Sequence, residues 1–309
     1  MQGAIAGEAM VNPLTTLAVF QRHAEKVLGH GLLLVLLAAC VACQANDKAF
    51  VQLSNKAVES LKAEDYTRAE AYLRDAIKLK PNDPDAHYYL GTLAFRQNRA
   101  KEAVEHLELA AAADPQWPDA QLALAKALVQ EKRLKDALTA LHALFAVDKG
   151  QPNGHLLAAK IAQESGVRSQ VDEELRAAIA GDCTFVPAYV MLSHLYSDVG
   201  AYEPARLVLE EGLKFTPDSP ELQEGLGLAW LDLGRPDRAQ QALENASHLP
   251  RARYAVYLNL AAADLQLGDK EAAKQALRTY LVQGSGQKAD DPQLQIAAKM
   301  LNHLKAAAP

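Results

Sequence analysis

Three columns of residues recur every 34 positions along this chain, and this period restricts the possible folds more than any other feature. The first column is alanine or valine, namely Ala69, Ala103, Ala137, Val171, Ala205, Ala239 and Ala273. Four positions later every unit has leucine, namely Leu73, Leu107, Leu141, Leu175, Leu209, Leu243 and Leu277. The third column is small, namely Ala57, Gly91, Ala125, Ala159, Ser193, Gly227 and Ala261. Because the columns keep one register, they predict seven stacked repeats over residues 50–287.

Each repeat is predicted to contain two amphipathic helices, which in the second unit cover about residues 84–97 and 101–113. An N-cap residue followed by proline marks several helix starts, as in Asp83-Pro84, Ser219-Pro220 and Asp291-Pro292. Glycine recurs where the first helix must end, at Gly166, Gly200, Gly234 and Gly268. No unit can bury its apolar face alone, so stacking of neighbours has to provide the core.

A 34-residue period with these columns resembles the tetratricopeptide repeat (TPR) family. With Phe50 as position 1, the family favours small residues at positions 8, 20 and 27, a bulky residue at 24 and proline at 32. Proline occupies position 32 in three units, at Pro81, Pro115 and Pro217. The fourth unit departs most, with Val171 and Cys183 at two of these positions. The resemblance implies an all-α fold, a right-handed α-α superhelix of seven helix-turn-helix repeats.

A further helix is predicted over residues 292–307, because Leu294, Ala297, Ala298, Leu301 and Leu304 form one apolar stripe at helical spacing. We expect this helix to cap the C-terminal end of the array, with residues 283–290 as a flexible joint. Residues 288–309 then form the capping helix and tail. The alternative is a coiled-coil or partner-binding helix.

The N-terminus is predicted to be a targeting segment. Residues 28–43 are apolar but short for a bilayer span, which needs about 20 residues, and Arg22 and Lys26 precede them as in a secretory signal. The run ends in Leu37-Ala38-Ala39-Cys40, which resembles the lipobox of bacterial lipoproteins. The resemblance implies a signal over residues 1–39 and a lipid on Cys40. Residues 40–49 would then be a tether, whose few residues before the first repeat reach at most about 26–29 Å when extended.

Three alternatives stay open for this segment. The apolar run could be an uncleaved anchor helix. Cys40 and Cys43 form a C-x-x-C spacing, but a redox pair needs a strand-to-helix setting rather than an apolar signal. Residues 1–21 are an unusual preface for a signal, so the start codon could lie further downstream, at Met10 or beyond. If the first 43 residues are not translated, the protein is a cytoplasmic TPR adaptor.

Composition and motifs favour a protein without catalytic chemistry. The net charge of −6 excludes the basic footprint of a nucleic-acid-binding protein, and three cysteines exclude a disulfide scaffold. The nine histidines lack the spacing of metal ligands, and Gly225 and Gly227 begin a G-x-G-x-x-G pattern without its third glycine. Cys183 is interpreted as a free thiol in a loop. We therefore expect no cofactor, no metal and no nucleic-acid partner, with an enzyme as the remote alternative.

The resemblance implies that a protein or peptide partner binds the concave groove lined by the first helix of each repeat. Position 9 carries Lys126, Lys160 and His194 in adjacent units, which would form a short basic ladder. Its apolar neighbours would be Tyr88, Phe95, Leu122, Val129 and Leu156. The acidic residues further along are Asp198, Glu221, Glu224 and Asp232. Such a charge gradient would fix the direction of a bound peptide, and the alternative is that these are ordinary solvated faces.

These features predict a lipid-anchored, non-catalytic TPR scaffold. Val41 follows Cys40, where aspartate would resemble an inner-membrane retention signal, so we expect the periplasmic face of the outer membrane. The chain resembles two groups of small TPR lipoproteins, of which one assists type IV pilus secretins and the other scaffolds peptidoglycan hydrolases. No groove residue distinguishes between these groups.

Overall fold

A computed structural model of the chain describes residues 30–285 and 292–306, with side chains from residue 44 onward. All regular structure in these ranges is α-helical. The N-terminal part of the predicted signal, most of the joint at 283–290 and Asp291 lie outside the described residues. The side chain of Cys40 lies outside them as well.

The described helices fall into two compact units, divided after Asp114. The first unit contains α1 His30–Lys62, α2 Tyr66–Leu79, α3 Pro84–Arg96 and α4 Ala100–Ala113. The second begins with α5 Pro118–Gln130, α6 Leu134–Val147, α7 Pro152–Glu164, α8 Arg168–Gly181, α9 Val186–Ser197 and α10 Tyr202–Phe215. It continues with α11 Pro220–Asp232, α12 Pro236–His248, α13 Val256–Leu267, α14 Lys270–Gly284 and α15 Pro292–Ala306. Each 34-residue repeat thus holds one helix pair in the predicted register.

Helix α1 is longer than the other first helices, because it begins at His30 and runs without a break into the first repeat. The predicted tether over 40–49 is therefore helical and advances the chain by about 15 Å, at 1.5 Å per residue. Lys80 holds the C-terminal part of this 40–49 segment against the first repeat. Its ammonium lies 3.0 Å from the Asp47 carboxylate and 4.6 Å from the centre of the Phe50 ring. Within the described residues, no helix combines the length and hydrophobicity needed to cross a membrane.

The three sequence columns form the core of the repeats, as predicted. The leucine column is 0–3% exposed, and the alanine or valine column is 0–1% exposed. The small column packs directly on the leucines of the same repeat. A Cβ at Gly91 would lie 2.5 Å from Cγ of Leu107, and one at Gly227 would lie 2.5 Å from Cγ of Leu243. Small residues at position 8 therefore let the two helices of a repeat approach closely.

Helix α15 packs on α14 and extends the core of the last repeat, as predicted for a capping helix. Ala297 and Leu301 are buried, and Leu294 and Leu304 pack beside them. A Cβ at Gly284 would lie 2.6 Å from Cδ2 of Leu294, so a glycine at the end of α14 lets the cap approach.

The turn between the two helices of a repeat has the same left-handed backbone in all seven units. At position 15, φ is +73° at Gly166, +74° at Gly200, +69° at Gly234 and +81° at Gly268. The first three units have Glu64, Asn98 and Lys132 there, at φ of +57°, +60° and +67°. Glycine alone marked the turn in the sequence, yet the turn itself is shared by every repeat.

Candidate functional site

The second unit contains an open cavity of about 570 Å³ on the face formed by its first helices. We call it the α7–α9 cavity, because most of its lining comes from these two helices. Its floor is apolar and comprises Leu156, Val186, Pro187, Val190 and Met191. Its polar lining comprises Lys160 and Gln163 from α7, His194 from α9, and Glu221 from the first turn of α11.

The repeat geometry places these side chains. Proline at the second position of α9 fits its first turn, where the missing N–H would have no helical partner. Positions 1, 2, 5 and 9 of a helix share one face, so Val186, Pro187, Val190 and His194 meet on the same side. Packing holds α9 in place under the cavity, since its residues Leu192 and Ser193 are only 1% and 2% exposed.

The charges at the rim of the cavity are separated. Lys160 and His194 are exposed at position 9 of neighbouring repeats, and neither side chain makes a hydrogen bond or ion pair within the described part of the chain. Glu221 accepts a hydrogen bond of 3.0 Å from Oγ of Ser219, the N-cap of α11. The rim thus carries an ammonium at α7, an imidazole at α9 and a carboxylate at α11.

Three of the eight predicted groove residues, Leu156, Lys160 and His194, line this cavity together. Lys126 is exposed and Val129 is half-buried on α5, which contacts α7, but neither belongs to the cavity lining. Leu122 is 7% exposed, which leaves little of it for a partner. Tyr88 and Phe95 are half-buried on α3 of the first unit, which is described by itself.

One of the four acidic residues expected beyond the basic ladder is buried and does not face a partner. Glu224 is 5% exposed, and its carboxylate accepts hydrogen bonds from Arg253 at 2.8 Å and from Asn259 at 3.1 Å. The expectation that it faces a partner is therefore wrong, because its charge is used between α11 and the start of the last repeat. Burial raises the pKa of Asp232 on the same helix. Glu221 is the acidic residue that reaches the cavity.

The sequence also missed residues that the cavity needs. Gln163 and Val190 lie at positions 12 and 5, so the repeat register alone would have found them, whereas Glu221 at position 2 was already expected among the acidic residues of the groove. Met191 lies at position 6 and has no such signal. In the first unit a smaller cavity of about 290 Å³, lined by Phe50, Val58, Leu61, Asp83, Asp85 and Tyr89 among others, was not anticipated either. Burial and then the charge of Asp83 raise the pKa of Asp85 there.

Several buried polar side chains serve the repeats rather than a site. At position 4, His87, His155 and Tyr189 each contact the backbone carbonyl at position 32 of the preceding repeat. The ring Nε2 lies 2.8 Å from O of Pro81 for His87 and 2.9 Å from O of Lys149 for His155, and the Tyr189 hydroxyl donates to O of Cys183 at 3.1 Å. Burial raises the pKa of Tyr189 to about 12. Over the described ranges, no group of three or more His, Cys, Asp or Glu could hold a metal ion.

Comparison with known families agrees with this geometry. Tetratricopeptide repeat models match residues 55–118, 94–161, 186–219, 220–245 and 254–281, which together cover well over half of the chain. The chain belongs to the tetratricopeptide repeat family. TPR arrays serve as protein-interaction scaffolds, so this TPR chain is a scaffold for a protein partner, and the lining of the α7–α9 cavity comes from three consecutive repeats.

Solved structures with a TM-score above 0.5 show the same fold at low sequence identity. A tetratricopeptide repeat protein from Parabacteroides merdae is 15% identical with a TM-score of 0.58, and the match covers 84% of this chain and 99% of that one. Yeast Tom70 is 19% identical with a TM-score of 0.54, over 66% of this chain and 44% of that one. PilF of Pseudomonas aeruginosa is 25% identical with a TM-score of 0.49, over 62% and 87%. A search of curated proteins gives no match.

Proposed function

We propose that this TPR protein is a non-catalytic adaptor that binds a protein partner in the α7–α9 cavity while a lipid on Cys40 holds it at a membrane. The observation that carries the proposal is the cavity itself. An apolar floor is bordered by Lys160 and His194, whose side chains make no ion pair or hydrogen bond within the described part of the chain. Apolar pockets with a few convergent polar groups are the usual form of a binding site.

The membrane part of the proposal rests on the sequence. The apolar run before Leu37-Ala38-Ala39-Cys40 has the length of a signal rather than of a membrane span. Each buried CH₂ of an acyl chain contributes about 0.8 kcal/mol, so two or more chains on Cys40 would anchor the protein stably. With Val41 after the cysteine, we place the anchor at the periplasmic face of the outer membrane.

In that compartment the adaptor would serve the assembly of an envelope complex. Type IV pilus secretins and peptidoglycan hydrolases are the two partner classes that the resemblance to small TPR lipoproteins implies. The competing proposal is a cytoplasmic adaptor, which has the same repeats but no lipid.

The membrane anchor is tested by fractionation and intact mass of the protein from its native host. We expect the wild type and a Cys43→Ser control in the membrane fraction, with the mass of a chain that begins at residue 40 and carries acyl groups. A Cys40→Ser variant should remain unprocessed. If the wild type is soluble and unmodified, the anchor is refuted and the cytoplasmic adaptor is supported.

Partner binding is tested separately with a photo-crosslinking amino acid at Gln163, an exposed residue at the cavity rim. Its control lies at Leu207, which is 53% exposed on the second helix of a repeat. In the native host we expect a discrete crosslinked protein from position 163 and none from 207. Crosslinks from 207 alone would move the binding surface away from the first helices.

A further inference from the structure

The α7–α9 cavity combines three features that together define an occupant. Its apolar floor has room for a large side chain with part of its backbone. The floor side chains Val190 and Met191 are half-buried, so each keeps apolar surface that a partner could cover. Covering such surface contributes about 25 cal/mol per Å². The floor therefore selects a segment that brings at least one large apolar residue.

The basic side of the rim selects the charge of the residue that precedes or follows the apolar residue of the bound segment. Lys160 and His194 both lie at position 9, so their side chains leave neighbouring helices on the same face. Neither has an acidic partner within the described residues. A carboxylate bound above the floor would pair with the Lys160 ammonium and accept a hydrogen bond from the His194 ring, and an exposed ion pair of this kind contributes ~0–1 kcal/mol.

The anionic side of the rim lies one helix further along. Packed helices are about 8–10 Å apart, and an extended chain advances about 3.3 Å per residue, so neighbouring first helices are separated by roughly three residues of an extended peptide. The Glu221 carboxylate accepts one hydrogen bond from Ser219 and keeps further acceptor sites. A lysine or arginine of the bound segment would therefore reach Glu221 about three to six residues away from the carboxylate.

We propose that the α7–α9 cavity binds an extended protein segment with an acidic residue over Lys160 and His194, a large apolar residue on the floor of Val190 and Met191, and a basic residue toward Glu221. This inference rests on the proposed partner binding and specifies the chemistry of the partner. The separated charges would also fix the direction of the segment, because the reversed orientation places like charges together. The small cavity of the first unit carries Asp83 and Asp85 instead, so it does not offer a second site for the acidic residue.

The test uses three fluorescein-labelled synthetic peptides and the mature full-length protein in detergent, by fluorescence anisotropy. The first peptide contains Asp-Glu-Leu-Leu-Ser-Lys, the second replaces both of its acidic residues by lysine, and the third replaces both leucines by serine. We expect the first to bind at least tenfold more tightly than the other two. A Lys160→Glu, His194→Glu double variant should lose at least tenfold for the first peptide and gain affinity for the second.

The control is Lys214→Glu, an exposed lysine on α10 outside the cavity, which should bind the three peptides like the wild type. Equal binding of the first two peptides, no binding of the first, or an equal loss in the Lys214→Glu variant would overturn the inference. The crosslink from Gln163 separates this failure from that of the proposed function. If the crosslink still forms, the cavity binds a partner of different chemistry, whereas its loss contradicts both proposals.

Discussion

At position 15 of each repeat, the backbone is left-handed whether or not the residue is glycine. A side chain there costs roughly 1–2 kcal/mol, because its Cβ approaches a carbonyl oxygen at positive φ. Lys132→Gly, at φ +67°, should therefore stabilise the protein by about 1 kcal/mol. Urea denaturation measures this effect. The control Lys135→Gly, at the second residue of α6, should destabilise it by up to about 1 kcal/mol, and stabilisation by both changes would refute the turn argument.

The histidine pair of the first unit should make stability depend on pH. Nδ1 of His87 lies 3.0 Å from Nδ1 of His106, and burial, then the charge of His87, lowers the pKa of His106. Since the folded pKa is below the unfolded value of about 6.5, the unfolded chain binds the proton first as pH falls. The free energy of unfolding should thus decrease from pH 7 toward 5.

Substitution of His106 isolates this contribution. In a His106→Gln variant the decrease in the free energy of unfolding between pH 7 and 5 should be smaller than in the wild type, because the shifted group is gone while every other histidine remains. Glu102 lies close to the pair. Burial alone would raise its pKa, but hydrogen bonds and charges of Arg74 and Arg99 outweigh burial and lower the pKa, so Glu102 affects the free energy of unfolding at lower pH than His106 does. Equal decreases in both proteins would exclude the pair as the origin.

Between consecutive repeats, helix packing depends on a matched pair of positions, 27 in one repeat and 3 in the next. Leu144 fills position 27 of the third repeat and faces Gly154, where a Cβ would lie 2.7 Å from Cδ2 of Leu144. The fifth repeat reverses the sizes, since a Cβ at Gly212 would lie 2.9 Å from Cδ1 of Leu222. Departures from the repeat pattern in this region are therefore compensated by the facing helix.

This compensation predicts a coupling between two substitutions. Gly154→Ala alone should cost about 1–3 kcal/mol by overpacking, although alanine favours a helix. Leu144→Ala alone should cost about 2–5 kcal/mol as a core truncation. In the double variant the total should be less than the sum by about 0.5–3 kcal/mol, measured as a double-mutant cycle in urea. Additive effects would mean that the two helices adjust independently.

The helices of the second repeat and the capping helix were predicted to within one residue, because apolar residues at helical spacing define each helix and the face that it buries, whereas the extension of α1 back to His30 was not predicted. The left-handed turns at Glu64 and Lys132 were not predicted either, since residues of this kind carry no turn signal. Glu224 was misplaced because its burial depends on Arg253 and Asn259, whose approach is decided by packing between repeats. The register located Lys160 and His194 on one face, but the floor at Met191 depends on the local packing of α7 and α9.

For the whole molecule, the division into two compact units predicts where destabilisation spreads. In a repeat array each unit contacts mainly its neighbours, so the loss of core packing should act locally. Leu73→Ala in the first unit and Leu141→Ala in the second should each cost about 2–5 kcal/mol, since both leucines are nearly fully buried.

Hydrogen exchange followed by mass spectrometry separates the two variants. Leu73→Ala should accelerate amide exchange mainly in α2–α4, and Leu141→Ala mainly in α5–α8, while the helical circular-dichroism signal of both remains near that of the wild type. Each variant is the control for the other, because it leaves intact the unit that the other variant destabilises. Uniform acceleration along the chain in both variants would mean that the array opens as one cooperative body.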